Sequence, residues 1–265
     1  MNALLCVLLA ARAAAAPTPT PDIHLTPAQE RAIGLKIWKN EADGQVKLLT
    51  DWNEGEAFGS FGIGHFIWYP AGKPGPFTES FPPVLDAIAA SGEKLPLWLK
   101  GHPPCPWPDR DAFYADFDGP RLVGLRALLA RTVDAQASFA VKRLEAALPQ
   151  ILDAADDAER PTLLKRFNAV AAATNGVYAL VDYVNFKGEG VNPAERYKNE
   201  GWGLLQVLEL MADAAPGQPA VASFEKAADA ALTRRVANAP ADRRKLEQGW
   251  LPGWRNRLLT YLQRG

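Results

Sequence analysis

The sequence predicts a mainly helical α+β protein, with a small sheet near the N-terminus and a larger helical lobe after it. Three observations carry that expectation. From about Gly119 onward, apolar residues recur with a period near 3.6 almost throughout. Residues 45–69 switch to short β-branched, glycine-rich and aromatic runs. Strand-like and helix-like stretches do not alternate, so the two parts segregate instead of forming a parallel α/β sheet.

Taken in order, the chain opens with the apolar run LLCVLLAA at 4–11, then Arg12, four alanines and PTPTP. That run is far shorter than the roughly 20 apolar residues that cross a bilayer, so stable membrane insertion is not expected. An apolar core followed by small residues reads as a signal peptide over 1–16, cleaved between Ala13 and Ala16. The alternative is a cytosolic protein with an alanine-rich tail. Residues 17–26 then form a Pro/Thr-rich linker and 27–265 one domain, placed in the periplasm or outside the cell. Cys6 leaves with the leader. Cys105, in the proline-rich GHPPCPWP, reads as a small buried apolar residue.

Thr26-Pro27-Ala28-Gln29 is a helix start: a cap, a proline at the first position and a glutamine that closes the capping box. Ile33, Ile37 and Trp38 mark one face, and the helix should end near Gly44. Residues 45–69 read as a β-hairpin or small sheet. Residues 70–110 are dense in proline and read as irregular, with short helices around 82–91 and 93–99. Beyond Gly119, helical periods run through LRALLARTV, SFAVKRLEAALPQIL, TLLKRFNAVAAA, VYALVDYVNF, WGLLQVLELMADA and VASFEKAADAALTRRVANA. GWLPGWRNRLLTYLQRG adds one more short helix.

The charge balance is 29 basic to 30 acidic residues, which argues against a nucleic-acid binder. Two cysteines and three widely separated histidines argue against a disulfide framework and a metal centre, so no cofactor is expected. Any chemistry then falls to carboxylates. Glu41 sits at the C-terminal end of the first helix, where the macrodipole disfavours a negative charge and so suits a proton donor. Asp51, Glu54 and Glu56 follow within twenty residues, among Trp38, Trp52, Phe58, Phe66, Trp68 and Tyr69. An acid facing a second carboxylate is what glycoside hydrolysis requires, and aromatic faces stack on sugar rings. Ordinary surface acids over a core of aromatics is the competing explanation.

The stretch WKNEADGQVKLLTDWNEGEAFGSFGIGHFIWYP resembles the phage-type lysozymes: a helix ending in Glu, a short acidic strand, then Ser-x-Gly-Ile-Gly-His. YALVDYVNFKGEG is similar to that family's buried helix, with Ala179, Leu180 and Gly188 in place, Tyr183 for a Phe, and Asn185 before Phe186 instead of after it. The resemblance covers about residues 27–69 and 178–190. It implies a lysozyme-like fold and cleavage of the β-1,4 glycan of peptidoglycan by a monomer, with Glu41 as general acid. Ser60 takes the place of a hydroxyl that orients water or substrate, and His65 supports the hairpin beside the cleft. Asp51, Glu54 and Glu56 all remain candidates for the second carboxylate; lytic transglycosylases work with one Glu. Trp68, Tyr69, Asn185 and Glu189 are candidate substrate contacts, and Glu195 lies in the same loop as Glu189. A glycan-binding protein without activity, and an enzyme directed at chitin or chitosan, are the alternatives. Gln206 reads as part of a core helix, and LTRRVANAPADRRK as a solvated basic face.

Without Arg12 the mature chain keeps 28 basic residues against 30 acidic ones. Long-range attraction to an anionic wall is therefore weak, and binding to purified walls should change little between low and moderate salt. A steep loss of wall binding over that range would contradict the expectation.

Overall fold

The computed structural model describes residues 23–173 and 175–263, so the expected leader and the start of the expected linker lie outside the described residues. The linker ends earlier than its composition suggests. Ile23 and Leu25 already pack against the larger hydrophobic core.

Helix α1, Pro27–Ala42, begins as its sequence requires. Thr26 Oγ1 accepts from the Gln29 amide, and Gln29 Oε1 accepts from the Thr26 amide at 2.8 Å. It ends where Asp43 and Gly44 turn to positive φ, 51° and 71°. The buried face is Ile33, Gly34, Ile37 and Ala42. This face lies on α5, Val133–Ala154, with Gly34 at the closest approach. A Cβ on Gly34 would stand 2.6 Å from the Cβ of Ala137.

The small sheet is three-stranded and antiparallel: β1 Thr50–Asp51, β2 Gly59–Phe61 and β3 Phe66–Trp68, in that order. Ser60 stands opposite Asp51 on one side and Ile67 on the other. The Gly-Ile-Gly-His turn joins β2 to β3. Gly62 adopts φ +78°, and a Cβ there would lie 2.4 Å from Gln136 Oε1. Gln136, fully buried on α5, needs that space. Its Oε1 accepts from the Ile63 amide and its Nε2 donates to the Leu129 carbonyl. The turn is thus fixed from beneath by a helix seventy residues further on.

Behind the sheet lie α2, Phe81–Ala90, a 3-10 turn at Leu97–Leu99, and α3, Arg110–Ala115. They enclose a smaller core in which Phe61, Trp68, Phe81, Trp107 and Phe113 meet ring to ring. Cys105 is buried here, and burial pushes its thiol up to about 12, consistent with a packing residue.

Helix α4, Pro120–Arg131, completes the smaller core with Leu122, Leu125, Leu128 and Leu129, and the larger lobe holds α6 Arg160–Ala171, α7 Gly176–Lys187, α8 Leu204–Leu210, α9 Gln218–Asn238 and α10 Ala241–Leu259. A 3-10 turn, Thr260–Leu262, follows. α7 runs through the middle, with Tyr178 to Val184 all buried. α5 belongs to both cores: Val133 and Ala137 serve the smaller, Ala140 to Leu152 the larger. The two cores are therefore joined through one continuous helix.

Two expectations need correction. The last helix is not short: α10 has 19 residues and carries Pro252 within it. Its buried positions are Glu247, Arg257 and Leu258, so charged residues replace the apolar stripe that would have revealed it. The basic segment before it is not simply a solvated face either. Arg235 is buried and paired with the fully buried Glu247.

Gly34→Ala tests the α1–α5 contact. Alanine gains about 1 kcal/mol of helix propensity, but overpacking typically costs about 1–3 kcal/mol. Urea unfolding should show a net loss, recovered in Gly34→Ala/Ala137→Gly.

Candidate functional site

The site is built around a charge buried in α7. Asp182 is fully buried among the apolar residues of α7. It accepts two hydrogen bonds from Arg257 on α10, from Nε to Oδ2 and from Nη2 to Oδ1, both 2.8 Å. Tyr261 donates its hydroxyl at 2.6 Å and Asn40 its amide at 3.2 Å. Bidentate pairing with extra donors is the arrangement that repays the desolvation of a buried ion pair. Burial works against the charge on Arg257, but Asp182 and Glu41 outweigh it and hold its pKa well above the usual value.

So fixed, Arg257 turns its Nη1 to Oε1 of Glu41, 2.7 Å away. Glu41 is in the last turn of α1, with 16% of its side chain exposed. Asn185, one turn after Asp182 on α7, donates its amide to the same Oε1 at 3.3 Å and to the Gly64 carbonyl at 3.0 Å. His65 holds a positive φ of 48° at the end of the turn. Its Nε2 bonds the Leu48 carbonyl at 2.9 Å, which leaves Nδ1 facing Glu41 Oε2 at 3.9 Å. Glu41, His65 and Asn185, from three separate segments, converge.

The three acids of the sheet region part company. Glu54 is exposed in the turn. Asp51 is partly buried and accepts the Tyr114 hydroxyl at 2.6 Å, which together with burial raises the Tyr114 pKa. Glu56 is partly buried and takes a hydrogen bond from Asn53 at 3.0 Å. Burial pushes the Glu56 carboxyl up, and Asp51 adds to this. Asn53, His65 and Arg243 of α10 oppose it.

Other expected contacts are not available as the sequence suggested. Trp68 has no exposed face: it lies within the smaller core and its Nε1 donates to the Pro103 carbonyl. Tyr69 is buried edge-on against Phe58. Ser60 is buried in the central strand. A sugar ring could stack on neither aromatic without opening the core. Glu189 is partly buried and paired with Arg143 at 2.8 Å, and its carbonyl accepts from the Leu205 amide at the start of α8. Glu195 stands nearby, its carboxyl pushed up by burial and by Glu189. Gln206 is buried and ties that loop together, accepting from the Gly203 amide and donating to the Gly190 carbonyl.

Asp182, Lys187, Arg235, Glu247 and Arg257 are the residues that periodicity passed over. Asp182 did leave a signal, a lone acid inside YALVDYVNF. Arg257 left none, being one of several arginines in a polar helix. Removing one member of a buried pair typically costs about 3–5 kcal/mol, so this network also secures α7 against α10.

Comparison with models of known families, with curated proteins and with solved structures gave no match for this chain. Among the described residues, no helix is long and apolar enough to cross a membrane.

Glu56→Gln probes the sheet side of the site. The carboxyl releases its proton less readily in the folded chain than in the unfolded one, so its ionisation opposes folding. Below the ordinary Glu value of about 4.3, both states keep the proton and the substitution is neutral. As pH rises through the raised folded pKa, the wild type loses stability that the amide retains. Thermal unfolding should show a higher Tm for the variant at neutral pH, with the gain fading in acid.

Proposed function

We propose that this protein is an exported glycosidase that cleaves the β-1,4 glycan of peptidoglycan, with Glu41 as general acid. One observation carries the reading. Glu41, His65 and Asn185 come from the two stretches that resemble phage-type lysozymes, and they meet at one point between the lobes.

In this reaction Glu41 gives its proton to the glycosidic oxygen as the bond from that oxygen to C1 breaks. Water adds to C1 and gives up a proton to a second carboxylate. Glu56 supports that role best. It is partly buried, and burial raises its pKa, as suits a group that takes up a proton. Asp51, bound to Tyr114, orders the strand beside it. For Glu41 to donate, its contact with Arg257 has to loosen, and Asp182 keeps the guanidinium paired while that happens.

The same Glu41–Arg257 contact favours the second reading, a glycan-binding protein without activity, because the carboxyl is already engaged. Muropeptide release from purified peptidoglycan separates the two. The enzyme reading expects release by wild type and a loss of about 10²–10⁴-fold in Glu41→Gln, with wall binding kept. Equal release by both, or none by wild type, overturns it.

A further inference from the structure

The two oxygens of Glu41 have different surroundings. Oε1 meets the Arg257 guanidinium at 2.7 Å and accepts from the Asn185 amide at 3.3 Å. Oε2 has Nδ1 of His65 at 3.9 Å. A proton on Oε1 would meet two N–H donors, so a protonated Glu41 carries its proton on Oε2.

The His65 ring is fixed in the complementary sense. Its Nε2 lies 2.9 Å from the Leu48 carbonyl, which can only accept, so Nε2 keeps its hydrogen whether the ring is neutral or charged. In the neutral ring Nδ1 is then a bare lone pair turned toward a carboxylate oxygen, and the two repel. A proton on Nδ1 turns that repulsion into attraction. The side chains are 15% and 16% exposed, so solvent screens the pair poorly. Two acids, Glu41 and Glu56, act on the ring and favour its charged form. Arg257 and Lys187 are the cations that act on Glu41, and burial pushes Lys187 well below the ordinary lysine range, which reduces its charge.

We propose that His65 is the proton store for Glu41: at rest the proton is on Nδ1, and it crosses to Oε2 when the glycosidic bond is cut. This rests on the glycosidase reading above. It makes His65 a positioning residue that acts through Glu41, beyond its support of the turn. At rest Glu41 is a carboxylate, as its contact with Arg257 favours, and His65 is an imidazolium. The pair approaches by about 1 Å, since a charge-assisted hydrogen bond is about 2.8 Å long. The Nδ1–H bond then breaks and an Oε2–H bond forms, which leaves both groups neutral and weakens the hold of Arg257 on Oε1. The proton leaves Oε2 for the glycosidic oxygen as the bond from that oxygen to C1 breaks, and Glu41 is a carboxylate again. The proton that water gives up to the second carboxylate returns to Nδ1 through solvent.

The test is the pH profile of muropeptide release between about pH 4 and about pH 8, which spans the ordinary carboxyl and imidazole ranges near about 4.3 and about 6.5. A carboxyl of ordinary acidity without a store is protonated in roughly one molecule in 150 at about pH 6.5. In His65→Gln, whose amide can still donate to the Leu48 carbonyl, release should match wild type near about pH 4 and fall about 10–100-fold near about pH 7. An unchanged profile, or a loss of equal size at every pH as a purely structural role would give, overturns the proton store and leaves the glycosidase reading standing. No release by wild type at any pH overturns both. A second measurement needs no variant of His65 to fold. The ring nitrogens of wild type, followed by nitrogen-15 resonance at about pH 7, should show hydrogen on both Nδ1 and Nε2 of His65, and Glu41→Gln should show a bare Nδ1. A bare Nδ1 in wild type, or a hydrogen that stays on Nδ1 in Glu41→Gln, also overturns the proposal.

Discussion

The buried carboxylate of Asp182 is the constraint from which the site follows. A charge at that depth requires full hydrogen-bonding, and it receives donors from α1, α10 and the turn after α10. Satisfying it draws those segments together around α7. Arg257, once fixed by two parallel bonds, has one nitrogen left to offer, and that nitrogen meets Glu41. The position of the proposed acid is therefore set as much by the ion beneath it as by the helix that carries it.

A second constraint comes from α5. Its first turns supply Gln136 and Ala137, which hold the Gly-Ile-Gly-His turn and the flank of α1. Its later turns belong to the larger core. The turn that brings Gly64 to Asn185 is consequently placed by the same rigid element that supports α1. Glycine at 34 and 62 is what allows each approach, since a side chain at either would meet α5.

Most of the fold could be read from the chain because apolar periodicity and cap chemistry are local. The start and end of α1, the strand region and the helices from α4 to α9 are all visible in short windows. The site was legible only in part. Glu41, His65 and Asn185 were singled out through a motif resemblance, and Asp51 and Glu56 through their proximity in sequence. Trp68 and Tyr69 fill the core instead of lining a cleft, and an aromatic strand has the same sequence pattern in either setting. Arg257, Arg235 and Glu247 stayed hidden for a related reason. A helix that buries ion pairs in place of leucines has no apolar stripe, so α10 read as a short fragment beside a basic surface.

The pairings that form the site join distant parts of the chain: Asn185 reaches Glu41 across 144 residues, and Arg257 reaches Asp182 across 75. Closing loops of that length costs entropy before any contact repays it. Helices such as α1 and α5 have their own local bonds and can form early. A partly folded chain could thus carry Glu41 on an intact helix and still lack its guanidinium, its amide partner and the turn opposite. The surroundings of Glu41 are complete only when α1, α7, α10 and the turn after β2 have come together.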